Sequence, residues 1–274
     1  MRGDRSAFYK PEDILRDVEL RLADAGKKSE PVDYLAFVPD GEPTLDRNLG
    51  KTIGLLKPLG IPVGVITNAS LMERGDVHDD LCNADWVSLK VDTVQAKVWR
   101  RIDRPHPALR LASALDGMLR FAKDFSGQLV TETMIIDGMN ATRDSMDKVA
   151  DFLGRLHPHT AYLSIPTRPP AEKRARVPNE DVLLEMFQCV SEKVARVELL
   201  TGYEGDAFIA TGDVALDLLS ITAVHPMREE AVAAVIKQSG ASWEIVDGLL
   251  SGGELLRREH AGHVYYLRRF SAER

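Results

Sequence analysis

Between residues 10 and 203, short apolar runs alternate with stretches whose apolar positions recur three and four apart. The runs read as strands and the spaced stretches as helices with one buried face. Pro11-Glu12-Asp13 opens a helix with Ile14, Leu15, Val18 and Leu22 on one side and Gly26 beyond its end. Strands are predicted at 32–38, 61–67, 86–91, 129–136, 161–166 and 197–201. Helices are predicted at 44–59, 145–156 and 181–194. A further long helical stretch after residue 92 is broken at Arg104-Pro105-His106-Pro107 and ends near Ser126-Gly127.

The strands are apolar runs rather than clean alternations, which predicts burial on both faces and a mostly parallel sheet covered by helices. Alternating strand and helix give an α/β fold with right-handed crossovers. About six strands fit, fewer than the eight of a closed barrel. The expected fold is a partial parallel (β/α)6-type barrel, with an open doubly wound sheet as the other solution.

The pattern changes after residue 203. Residues 204–225 read as a connector. From 226 to 274 come a helix over Met227–Gln238 and a second over Trp243–Leu250, capped by Ser242. Leu255-Leu256 and Val264-Tyr265-Tyr266-Leu267 then flank a turn at Glu259–His263. Helix, helix, hairpin is a winged-helix-like pattern. The expected domains are therefore 1–203, an α/β partial barrel, and 226–274, a winged-helix-like domain.

Composition narrows the classes. Of 274 residues, 44% are apolar, enough for a sizeable core, and the net charge of -7 disfavours indiscriminate binding to nucleic acid or anionic membrane. No apolar run approaches the roughly 20 residues of a membrane helix, and Met1–Ser6 has no apolar h-region, so a cytoplasmic location is expected. The two cysteines, Cys82 and Cys189, lie far apart and read as buried small hydrophobes rather than a disulfide or metal pair. His157/His159 and His260/His263 read as surface residues, because no carboxylate or cysteine completes a ligand set.

Candidate chemistry concentrates at the carboxyl ends of the strands, where α/β folds hold their ligands. The first delivers Asp40-Gly41-Glu42-Pro43, the second Thr67 and Asn68. The third carries Ser88 and Lys90 and runs into Asp92, alternate positions that share one face. The fourth carries Thr131, Glu132 and Met134, with Asn140 behind, and the fifth carries Ser164. Lys90 and Glu132 inside apolar strands are costly unless paired or bound to a ligand. A Lys90–Glu132 or Lys90–Asp92 ion pair is the structural alternative. Arg168-Pro169-Pro170-Ala171-Glu172-Lys173-Arg174-Ala175-Arg176 is a basic loop leaving the same edge, suited to an anionic substrate or an RNA phosphate, or simply to solvent. From Pro226 onward seven Lys/Arg stand against seven Asp/Glu, which favours a protein contact or a lid over a nucleic-acid wing.

Five segments fall in a recognisable order: Gly41-Glu42-Pro43, Val65-Ile66-Thr67-Asn68-Ala69, Val87-Ser88-Leu89-Lys90-Val91-Asp92, Arg101-Ile102-Asp103-Arg104-Pro105, and Glu132-Thr133-Met134-Ile135-Ile136 with Asn140. Over roughly residues 8–203 the chain resembles the radical S-adenosylmethionine superfamily, most of all the branch that includes the wybutosine-synthesis enzyme of tRNA. The resemblance implies S-adenosylmethionine as cofactor. Gly41, Glu42 and Pro43 would then hold the methionine ammonium, Asn68, Ser88, Lys90 and Asp92 would line its carboxylate and ribose, and Glu132 and Met134 would lie near ribose and adenine. It also implies a 4Fe-4S cluster fed by an electron donor, a 5′-deoxyadenosyl radical, and an unknown substrate, with tRNA the expectation from the branch. Asn140, Arg168 and Lys173 are the substrate-side candidates. No catalytic residue is assigned.

One departure matters. The superfamily holds its cluster through three cysteines, typically CxxxCxxC, after the first strand. Here no cysteine precedes Cys82. The sequence is expected to begin downstream of that loop and of the first strand, through truncation, natural loss or deliberate removal. Without the cluster, reductive cleavage is not expected of these residues alone. The other readings are a cluster-free remnant that binds S-adenosylmethionine, a nucleotide or a protein, and an ordinary barrel aldolase with Lys90 as Schiff-base residue.

Overall fold

A computed structural model describes residues 4–27, 31–38, 41–166, 175–200, 213–224, 227–260 and 262–268. These form two compact units, one built on a parallel sheet and one that joins the end of the first helix, from Glu19, to the residues from Val214 onward.

The first unit is wound from six strands in simple sequential order. They are β1 (Leu35–Phe37), β2 (Val63–Thr67), β3 (Trp86–Lys90), β4 (Gln128–Met134), β5 (Thr160–Ser164) and β6 (Val197–Leu200), and each pairs parallel to the next. The connections carry α2 (Leu49–Leu56), α3 (Gly75–Leu81), α4 (Ala96–Ile102), α5 (Leu111–Asp124), α6 (Arg143–Leu156) and α7 (Glu180–Ser191), while α1 (Pro11–Lys27) precedes β1. Right-handed crossovers in sequential order put every connecting helix on the same face, which makes the sheet a segment of barrel wall.

Burial on both faces was the expectation, and the strand interiors meet it: Gly64, Ser88 and Val130 are buried on the face away from the helices, while Lys90 and Glu132 there are half-buried. The helix-side face carries Val63, Val65, Val87, Leu89, Ala161 and Leu163, packed with Ile53, Leu81, Phe121 and Leu153 in one core. The opposite face follows the register Gly64–Trp86–Gln128 and Ile66–Ser88–Val130, then Lys90–Glu132–Tyr162–Glu198. The polar side chains Lys90, Glu132, Tyr162 and Glu198 form one row across that face.

Local chemistry explains the element limits. In α5, Leu111, Ala114, Met118 and Phe121 are buried at helical spacing. Thr142 caps α6 by accepting from Ser145 N, and His157 closes it in the left-handed conformation at φ 53°. The helix expected over 44–59 is broken up. Pro43–Leu45 is a 3₁₀ turn, Asp46 Oδ1 accepts from Asn48 N, α2 follows, and Lys57–Leu59, which contains Pro58, ends as another 3₁₀ turn. The first strand is paired only over Leu35–Phe37, shorter than the expected 32–38. Buried Arg5 bridges Asp76 and Asp80 of α3 and donates to the Asp46 carbonyl, so the segment before α1 is tied beside the 3₁₀ turn.

The second unit holds α8 (Val214–Val224), α9 (Glu229–Gln238) and α10 (Glu244–Ser251) with an antiparallel sheet of β7 (Met227–Arg228), β8 (Leu255–His260) and β9 (His263–Arg268) in the order β7-β9-β8. Its core gathers Leu218, Val232, Val235, Val246, Leu255 and Tyr266. Tyr266 donates its hydroxyl to Glu229 at 2.9 Å and meets the Trp243 ring edge-on at 6.0 Å. Helix α8 corrects the reading of 204–225 as a connector. Its apolar residues run almost all the way round, so no helical face stands out in the sequence, yet Val214, Leu218 and Leu219 enter this core.

Two glycines separate close packing from mere conformational freedom. A Cβ at Gly117 in α5 would lie 1.7 Å from the Met72 carbonyl oxygen, whereas one at Gly54 in α2 would meet nothing within 4 Å. Gly117→Ala should destabilise the protein by about 3 kcal/mol through overpacking against backbone. Gly54→Ala should be neutral or stabilise by up to about 1 kcal/mol. Urea denaturation of the two variants checks both.

Candidate functional site

The site begins at the turn after β1. Gly41 has φ 150°, a backbone setting that L side chains rarely adopt. Glu42 follows in extended conformation and caps the 3₁₀ turn. Its Oε1 accepts from Thr44 N at 3.1 Å, from Thr44 Oγ1 at 2.7 Å and from Thr67 Oγ1, and its Oε2 accepts from Asn68 N at 2.7 Å. One carboxylate thus latches the end of β1 to the end of β2. Burial raises the Glu42 carboxyl above its ordinary value, with the bonds from Thr67, Thr44 and Asn68 pulling the other way. The β2 end is shaped by two further bonds, Ala69 N to Thr67 Oγ1 at 3.0 Å and Ser70 N to Asn68 Oδ1 at 2.9 Å. Pro43 occupies the first position of the 3₁₀ turn, where its missing N–H costs nothing.

The ends of β3 and β4 form the second half. Lys90 Nζ lies 3.3 Å from Asp92 Oδ2. Burial pushes the Lys90 ammonium down, but Asp92, Glu132 and Asp103 outweigh it and hold its value above the ordinary one. Lys90 thus makes the ion pair with Asp92 that was the structural alternative in the sequence. Asp92 is 2% exposed and its Oδ1 accepts from Met134 N at 2.8 Å. Glu132 lies opposite Lys90 in register and accepts from Ser164 Oγ at 2.8 Å. Ser88 is buried on the same face as Lys90, and Met134 is half-buried beside Ser164 in register.

Asn68, Lys90 and Asp92 line one cleft together with Ser70, Thr93 and Asp103. Ser88, Glu132 and Met134 share the inner sheet face instead. Asn140 does neither. It is fully buried, donates from Nδ2 to the carbonyls of Asp92 and Met134, both at 2.8 Å, and accepts from Ile136 N at 2.7 Å. Both its donors are spent on the backbone, which makes it a brace between two strand ends rather than a group facing a substrate. Arg168 and Lys173 lie outside the described residues, as do Pro39 and Asp40. Sequence reasoning passed over Asp103 as a site residue, although it sits inside the Arg-Ile-Asp-Arg-Pro segment. It closes α4, and burial followed by the charge of Asp92 raises its carboxyl to about 8, against the pull of Lys90.

The thiols do not suit an iron–sulfur cluster. Among the described residues no three His, Cys, Asp or Glu side chains converge to hold a metal. Cys189 is buried in α7, donates to Asp147 Oδ1 at 2.9 Å, and is pushed up to about 12 by burial and by Asp147. Cys82 is exposed, and desolvation with the neighbouring Asp124 and Asp79 raises its value too. The sequence holds these two cysteines only, far apart in the chain, where the cluster needs three closely spaced thiolates.

No protein-family model matches the chain. A UPF0026 protein of Methanocaldococcus jannaschii is 42% identical over 268 residues, covering 97% of this chain and 83% of that protein. The chain belongs to the UPF0026 family. A UPF0026 protein of Synechocystis is 32% identical over 170 residues, which is 62% of this chain and 61% of that relative. Among solved structures, this UPF0026 chain is similar to Streptococcus suis SuiB bound to S-adenosylmethionine, with a TM-score of 0.53 at 14% identity over 78% of this chain and 49% of SuiB. It is also similar to TYW1 with a lysine–pyruvate adduct bound, with a TM-score of 0.52 at 18% identity over 68% of this chain and 64% of TYW1. A radical S-adenosylmethionine methyltransferase from Sphaerobacter thermophilus gives 0.53 at 13% identity over 72% of this chain and 59% of that one. At these identities the likeness is one of fold, and it is the fold that the ordered motifs led us to expect, a partial barrel of the radical S-adenosylmethionine type.

The latch itself is testable in the UPF0026 chain. Glu42→Gln puts an amide N–H₂ among donors, so stability should fall by about 2 kcal/mol. Asn68→Ala should cost less than about 1 kcal/mol, because its backbone N–H makes the bond to Glu42. Chemical denaturation of the two variants measures the difference.

Proposed function

We propose that this chain binds S-adenosylmethionine at the carboxyl ends of β1 to β4, as the cofactor-holding part of a radical S-adenosylmethionine-type protein. One observation carries the reading. After β1 stands a carboxylate whose Oε2 accepts a single bond among the described residues, Glu42, and at the end of β3 an ammonium, Lys90. The methionine moiety offers the complementary pair, an ammonium for Glu42 and a carboxylate for Lys90. Asn68 shares the Lys90 cleft, Gly41 and Pro43 set the backbone of the turn, Ser88 and Asp92 suit ribose hydroxyls, and Glu132 and Met134 extend the same face toward the base. The buried Asp92 Oδ2, which lacks a hydrogen-bond donor, fits a hydroxyl-bearing ligand.

In the superfamily a 4Fe-4S cluster supplies the electron for cleavage of the sulfonium. The two thiols here do not fit such a cluster, so no radical step is drawn from these residues. Generation of a 5′-deoxyadenosyl radical and modification of an RNA substrate such as tRNA are proposed for the family on the order of motifs alone, with thiolates supplied from outside this sequence. A second reading is favoured by the two widely separated cysteines of this sequence: binding of the nucleoside without redox chemistry. The second unit, with its helices α8 to α10 and three-stranded antiparallel sheet, is proposed as a winged-helix-like protein-contact module.

Calorimetric titration with S-adenosylmethionine tests the binding. The chain should bind, and Glu42→Ala and Lys90→Ala should each weaken binding by about 10- to 100-fold, the worth of one charged hydrogen bond. Absence of binding, or variants as tight as the parent, would contradict it. The two readings separate on anaerobic reconstitution with iron and sulfide of a chain extended by any natural upstream sequence. A charge-transfer absorption band supports the radical reading, and its absence supports binding alone.

A further inference from the structure

We propose that the exposed side of α4, with the loop that leads to α5, is a docking surface for the phosphate backbone of an RNA. The choice of RNA rests on the RNA-substrate reading above. The surface itself is read from charge, pairing and burial.

Charge comes first. The chain carries a net charge of -7, yet residues 96–115 hold Lys97, Arg100, Arg101, Arg104 and Arg110 against a single acid, Asp103. All five cations are exposed. Positions 97, 100, 101 and 104 recur three and four apart, so they stand on one side of α4 and its end. Trp99 and Asp103 face the other way and line the cleft with Lys90 and Asp92. The one acid of the stretch is thus withdrawn from the surface. Helix α4 becomes a wall with the cleft on one side and cations on the other.

Pairing sets these cations apart. Elsewhere on the first unit Lys51, Lys57, Arg74, Lys148 and Lys193 each meet a carboxylate. Among the described residues Lys97, Arg100 and Arg110 form no ion pair. Arg101 reaches the Gly138 carbonyl at 3.4 Å, a neutral partner in the turn after β4. Arg104, at φ 46°, is the left-handed residue that follows α4, where glycine would be unstrained. A cation is therefore held there at a conformational cost. Like charges kept together without carboxylates repel one another, and an outside polyanion relieves that repulsion.

Burial selects the partner. A protein interface has an apolar or aromatic centre inside a polar rim. Among the described residues no large exposed hydrophobic side chain lies between 96 and 115, and Trp99 and Leu111 are buried. A phosphate backbone needs no such centre, because cations and the counterions they release supply its affinity. Four of the five cations are arginines, whose planar fork takes a phosphate through two parallel bonds. An RNA along the outer side of α4 lies against the wall of the Lys90 cleft without occupying it.

The test is fluorescence anisotropy of a labelled, unmodified tRNA transcript titrated with the full chain over a series of salt concentrations. The triple variant Lys97→Ala/Arg100→Ala/Arg110→Ala should weaken binding by about 100-fold near 0.1 M salt, and the slope of log affinity against log salt should shrink by about 2. The variant Lys51→Ala/Lys148→Ala/Lys193→Ala removes as many positive charges and should weaken binding by less than about 5-fold. Binding unchanged in the first variant, or weakened equally in both, would overturn the surface and leave the RNA reading standing. A parent chain that binds no RNA would overturn both. Polyglutamate that displaces the RNA at equal charge would overturn the phosphate backbone in favour of an acidic protein. One measurement needs no variant: saturating RNA should protect Lys97 from acetylation in the parent and leave Lys51 reactive. A Lys97 that stays reactive in the saturated complex would overturn the surface.

Discussion

The site depends on a carboxylate that cannot be left bare. Glu42 sits where the chain leaves β1, and burial makes its charge expensive unless donors surround it. Thr44, Thr67 and the Asn68 backbone supply them. Satisfying one acid thus fixes the 3₁₀ turn after β1, the exit from β2 and the distance between them. Gly41 permits the backbone setting, and the Arg5 bridge to α3 and to the Asp46 carbonyl ties down the far side of the same turn.

The same device recurs along the sheet edge. Asn140 and Asp92 stitch β3 to β4 through four bonds to backbone groups, and Ser164 stitches β5 to β4 through Glu132. The ends of β1 and β2, of β3 and β4, and of β4 and β5 are each held together by a polar side chain bonded to protein. Such a pre-set edge loses little freedom when a ligand arrives. What remains for a ligand is small and specific: one lone-pair direction of Glu42, the Lys90 ammonium, and the cleft carboxyls of Asp92 and Asp103.

Much of this was legible in the sequence and some was not. The sheet was, because Val63-Gly64-Val65-Ile66-Thr67 and Trp86-Val87-Ser88-Leu89-Lys90 keep apolar side chains on the helix-covered face. Glu42 was, because Gly-Glu-Pro ends a strand at a turn that needs glycine. The division of labour between Asn140 and Asn68 was not, since an amide that braces backbone and one that lines a cleft look alike in a sequence. Asp103 was overlooked because its importance comes from α4 folding back over β3, a contact that no local spacing announces. Helix α8 hid because a helix buried on most sides has no polar face to give it a period.

The most direct measurement is hydrogen exchange of the chain with and without saturating S-adenosylmethionine. Slowed exchange at 41–45, 67–70 and 90–93, with the N–H groups of the second unit unchanged, is the expected result. Saturation by the ligand with no protection at those three strand ends would contradict the site.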